Sequence, residues 1–144
     1  MKPLNTSLCR LAVLALVAVS SVASAQEITK DTLPTGVWVG VLRSDNVNVA
    51  MQVKFDARSA LVHFDPPIAC NLGAKFQQVQ ADGAIYAFAS ASNGGKLCDN
   101  LAGSGVMSIV RASPTSLRLS FDEKSYNGQP RVRTWRAELE PNVP

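Results

Sequence analysis

Histidine is almost absent from this chain: His63 is the only one, which rules out a multi-histidine metal site. It falls between Val62 and Phe64 in an extended stretch whose alternation turns it outward. Helical periodicity is missing too. Beyond Ala25 no window carries an apolar stripe at helical spacing, no unit repeats and no low-complexity tract stands out. No apolar run beyond Ala25 is long enough to cross a bilayer. No nucleophile, base and orienting residue form a recognisable set, and no cofactor motif is present, so the chain reads as a non-enzyme without a cofactor. Excess positive charge is scarce as well. The formal net charge of +3 falls to +1 once Lys2 and Arg10 are set aside, which leaves no electrostatic footprint for nucleic acid.

Cysteine is sparse, and its placement is informative. Cys9 lies ahead of the apolar run Leu11 to Val19, which is too short to span a membrane. With Lys2 and Arg10 before this run and Ala23-Ser24-Ala25 after it, residues 1–25 have the form of a secretory signal cleaved after Ala25. Cleavage would remove Cys9 and leave Cys70 and Cys98. The expected location is periplasmic or secreted, where two remaining cysteines form one disulfide; a free thiol at either position is the alternative. Closing that loop contributes about 3.5 kcal/mol in the chain-entropy model.

What is present is period-two alternation. Residues 26–35 are polar, include Pro34 and are expected to lie loosely over the surface; residues 36–141 form one domain. The first strand, Gly36 to Arg43, puts Trp38 and Leu42 on one face, with Gly40 between them for a bend or a close backbone approach. The second is the clearest: Val47, Val49, Met51, Val53 and Phe55 alternate with polar or small residues. Further strands are expected over Ala60–Phe64, Ala74–Ala81, Ala84–Ser90, Gly105–Arg111, Leu117–Phe121 and Arg131–Leu139, with Asp82-Gly83 as a hairpin turn. About eight antiparallel strands in an up-and-down meander predict a small all-β barrel, or a strongly coiled sandwich. Trp38, Met51, Phe55, Phe76, Phe88, Leu119, Phe121 and Trp135 are expected nearly to fill its interior.

A meander sorts its connections between two ends. Asp56–Ser59, Asp82-Gly83 and Ser113–Ser116 are tight and share one end. Asp65–Gly73, Ala91–Ser104 and Asp122–Pro130 are long and share the other, which also holds both cysteines. Binding residues concentrate on loops held by a rigid scaffold. The candidate partner-binding set is Asn93, Lys96, Asp99, Asn100, Asp122, Glu123, Lys124 and Tyr126, with Tyr126 as the energetic anchor. Lys96 and Asp99 are spaced to form a loop ion pair of small worth. Asn93-Gly94-Gly95-Lys96 is superficially similar to a phosphate-cradling loop, but the strand-loop-helix context is not predicted. Lys124, Arg131 and Arg133 read as a basic strip that shields an exposed strand from edge pairing.

The Gly36-Val37-Trp38-Val39-Gly40 opening, the cysteines around a central hairpin and the single polar loop end resemble small exported bacterial β-domains of the lipocalin-like and lysozyme-inhibitor kinds. Ser90-Ala91-Ser92-Asn93-Gly94-Gly95-Lys96 is similar to the serine-containing loop that membrane-bound-type inhibitors of c-type lysozyme present to the enzyme's cleft. The tyrosine-x-cysteine opening and the Ser-Gly-x-x-Tyr pattern of that family are absent. The resemblance implies an exported protein-binding module, an inhibitor or immunity protein acting on an envelope hydrolase. The alternative is a lipocalin-like carrier of a small apolar ligand.

Overall fold

A computed structural model describes residues 26–124 and 129–144. The expected signal segment and Tyr126 lie outside the described residues. The chain runs β1 (Gly36–Ser44), β2 (Val47–Asp56), β3 (Ser59–Phe64), β4 (Cys70–Gln80), β5 (Gly83–Ser92), α1 (Lys96–Leu101), β6 (Val106–Ser113), β7 (Ser116–Glu123) and β8 (Arg133–Pro141). Each strand pairs antiparallel with the next, and β8 returns to β1, closing a barrel of eight strands. The choice between barrel and sandwich is thereby made.

Alternation drives this closure. β2 buries Val49, Met51, Val53 and Phe55 and exposes every residue between them. Its inward residues face Trp38, Gly40 and Leu42 of β1, through the pairs Trp38–Val53, Gly40–Met51 and Leu42–Val49. The seam continues with Gly40 opposite Leu139 and Leu42 opposite Ala137. Gly40 does provide a close approach there, because a side chain would meet the β8 backbone.

Aromatic rings occupy both halves of the lumen. Toward the long-loop end, Phe121 contacts Phe64, Phe88 and Trp135, with ring centroids 5.5–6.3 Å apart. Toward the tight-turn end, Tyr86 lies 5.6 Å from Phe55 and 5.8 Å from Phe76. The Tyr86 hydroxyl donates to the Ala57 carbonyl in the β2–β3 turn, at 3.3 Å. Burial pushes its phenol pKa up to about 12. Phe76 departs from the expected interior role: it is half-buried, beside a register shift at Phe76/Gln78, and Arg58 stacks over its ring.

Three further expectations are corrected. β4 begins at Cys70, not Ala74, because Cys70, Leu72 and Ala74 already point inward and Gly73 pairs in register with Leu61 of β3, the irregularity at Leu72/Ala74 being taken up by an extra residue on β5. The Ala91–Ser104 connection is shortened by two more residues of β5 and contains the helix α1. The segment before β1 is not loose throughout, since Ile28 is buried in the core and Thr32 bonds back to residues 27 and 29.

Candidate functional site

The long-loop end is built around α1. Leu97, Cys98 and Leu101 face the core, while Lys96, Asp99 and Asn100 are exposed. Two tethers fix the helix on opposite sides. Cys98 is bonded to Cys70 at the start of β4, with a Cα–Cα distance of 6.4 Å. Asn100 Nδ2 donates to Glu123 Oε1 at 2.9 Å, which reaches the end of β7. The chain enters the helix through Asn93, Gly94 and Gly95, all at positive φ. A strand-loop-helix arrangement is therefore present, contrary to the sequence reading. Its glycine serves packing, however: a Cβ on Gly95 would sit 3.1 Å from the Ile68 carbonyl and 3.5 Å from the Cys70 sulfur.

Glu123 is not a surface contact. Continuing the inward series Leu117, Leu119, Phe121 by one step places it inside, at 3% exposure. There it accepts from Asn100 and, through Oε2, from Trp135 Nε1 at 3.2 Å. Arg133 is drawn in beside it, stacked 4.3 Å over the Trp135 ring, with Nε donating to Ser44 Oγ at 3.0 Å and 3.4 Å from Asp45. Ser44 in turn donates to the Thr134 carbonyl. These groups form a polar layer across β1, β7 and β8 that supports α1 from below. Arg133 therefore does not belong to an exposed basic strip, and from Arg136 onward β8 is paired with β1 as well as β7 and has no edge to shield.

The other candidates divide. Asn93, Lys96, Asp99 and Lys124 are exposed at the loop end. Lys96 and Asp99 form no ion pair among the described residues. Asp122 points outward from the wall and accepts from Thr134 Oγ1 at 2.7 Å. A crevice of about 190 Å3 lies at this end, between Lys96 and Leu97 of α1, Val47, Ile68 and Trp135. His63 is on the outer face as expected, 2.6 Å from Asn71 Oδ1 and 3.2 Å from Asp65.

Glu123→Leu is expected to lower stability by about 1–3 kcal/mol, because Trp135 Nε1 and the Asn100 amide lose their acceptor. Glu123→Gln should lose less, since its amide oxygen can keep one of the two bonds. Urea unfolding of both variants checks this, and equal losses would show that shape rather than hydrogen bonding holds the layer.

Two larger concavities, of about 620 and 570 Å3, lie on the outer wall over β6, β7, β8 and β1. Of the five arginines that line the larger one, Arg43, Arg118 and Arg136 were missed by sequence reasoning, and Arg43 meets Arg136 only because closure brings β1 beside β8. Comparison with protein-family models, with curated proteins and with solved structures finds no match to this chain.

Proposed function

We propose that this is an exported, non-enzymatic protein-binding module that inhibits or neutralises a hydrolase of the cell envelope through its disulfide-tied loop end. The observation that carries the reading is the double tether of α1. A short polar segment is locked to β4 by a disulfide and to β7 by a partly buried hydrogen bond, so little entropy remains to be lost on binding. The contact surface centres on Asn93, Lys96 and Asp99, with Lys124 at the same end; Tyr126, outside the described residues, is the proposed energetic anchor. Glu123 acts beneath this surface as a support, through its bond to the exposed Asn100. The alternative of an internal carrier needs room in the lumen, and the buried rings of Phe64, Tyr86, Phe88, Phe121 and Trp135 occupy it.

The test is capture from envelope extract followed by assay of the captured hydrolase. The protein should inhibit turnover, and Lys96→Ala combined with Tyr126→Ala should weaken binding by more than about 2 kcal/mol with little change in thermal stability. Changes at Asp82 or Thr115, at the tight-turn end, should do little. Sensitivity at the tight-turn end with a silent loop end would reject the placement. Capture without inhibition would reject the inhibitor reading.

A further inference from the structure

We propose that the outer wall formed by β7, β8 and β1 is an oxyanion site for a phosphoryl-bearing ligand, gripped by Arg43 and Arg136. The closing register sets these two residues directly opposite each other, both outward. Across β8 the same row continues to Ser120 and then Ser108. Like charges directly opposite on a sheet repel. Neither Arg43 nor Arg136 has an ion-pair partner within 4.0 Å among the described residues. Shielding of a strand edge cannot explain them, because the barrel closes at this seam.

The surface here is concave. The groove of about 620 Å3 falls within the size range of small-ligand sites. Five arginines line it against two carboxylates, Asp45 and Glu138. Asp45 is engaged by Arg133, and Glu138 faces Arg118 across the β7–β8 pair, so the uncompensated charge is that of Arg43, Arg136 and Arg131, of which Arg43 and Arg136 stand directly opposite each other. Planar guanidinium forks suit the several oxygens of a phosphoryl group, which accept hydrogen bonds from more directions than a flat carboxylate. The groove shares Thr134 and Arg136 with the neighbouring concavity, where Ser104, Ser108 and Ser120 offer hydroxyls to a polar body attached to the phosphate. A soluble phosphate ester and a phospholipid headgroup present this same chemistry. The site stands on the barrel wall and is independent of the loop-end reading.

Calorimetry at low salt with inorganic pyrophosphate tests the site, and co-sedimentation with phosphatidylglycerol-containing vesicles, against phosphatidylcholine alone, identifies the source. R43Q/R136Q should weaken pyrophosphate binding at least tenfold. K54Q/K75Q removes the same charge from the β2 and β4 strands and should change it less than twofold. Thermal unfolding of R43Q/R136Q should match or exceed that of the unmodified protein, since a repulsion is removed. Vesicle binding displaced by pyrophosphate supports the site and assigns it to lipid headgroups; pyrophosphate binding without vesicle binding supports it and assigns it to soluble esters. Failure to bind pyrophosphate, or equal loss in the two double variants, overturns the proposal. So does binding of a poly-glutamate peptide that R43Q/R136Q abolishes and pyrophosphate does not compete.

Discussion

Replacing Cys70 and Cys98 together by alanine is expected to lower the free energy of unfolding by about 3.5 kcal/mol. The bridge spans 28 positions of sequence, so in the unfolded chain it removes the entropy of a long loop. Both sulfurs are buried, and removing them also leaves the core side of α1 underpacked. A helix of six residues has no stability of its own in water. With the bridge gone, α1 depends on Leu97, Leu101 and the Asn100–Glu123 bond. The loss should therefore be uneven: the strands fold, while the segment from Asn93 to Leu101 opens first. Urea unfolding of the double variant, and of the unmodified protein with and without reductant, measures the global term. Trypsin cleavage after Lys96, faster on reduction while the rest of the chain resists, measures the local one. A reduced protein as stable as the oxidised one, with Lys96 still protected, would sink the view that the bridge organises this end.

The strands were legible because period two is a local property. β2 could be read from its own ten residues, since each apolar side chain is spaced to meet the same core. The pairing of Cys70 with Cys98 was equally open to inference. The helix was not, because Leu97, Cys98 and Leu101 span little more than one turn, too little for a 3.6-residue period to emerge from the glycines before it. Glu123 was misjudged for a different reason. A carboxylate after Phe121 reads as the start of a loop, and only the acceptor role toward Trp135 and Asn100 makes its burial affordable. Arg43 and Arg136 are 93 positions apart, and nothing in either one's neighbourhood announces the other. Their juxtaposition is a property of closure alone.

Closure itself hangs on Gly40. Gly40→Ala is expected to destabilise the protein by at least the upper part of the range of about 1–3 kcal/mol found when packed interiors receive an extra group. The position has no unusual backbone angle, so the effect is steric rather than conformational. A Cβ there would stand 2.2 Å from the Glu138 carbonyl oxygen and 2.9 Å from Leu139 Cδ2. A side-chain tip can rotate aside, but a backbone oxygen within a ladder cannot. Relief requires β8 to move off β1 near the middle of the seam that runs from the Trp38–Pro141 pair to the Arg43–Arg136 pair. Separation would expose two strand edges and add a tendency to aggregate. Gly73→Ala is the control: its nearest neighbour, the Ser90 carbonyl, lies 3.5 Å from the added carbon, an ordinary contact. That variant should stay within about 1 kcal/mol of the unmodified protein, because the alanine also restricts the unfolded chain. Thermal and urea unfolding of the two variants side by side, with light scattering to follow association, decides the matter. Equal stability of Gly40→Ala and Gly73→Ala would show that β1 and β8 adjust freely, and that the seam is looser than its geometry implies.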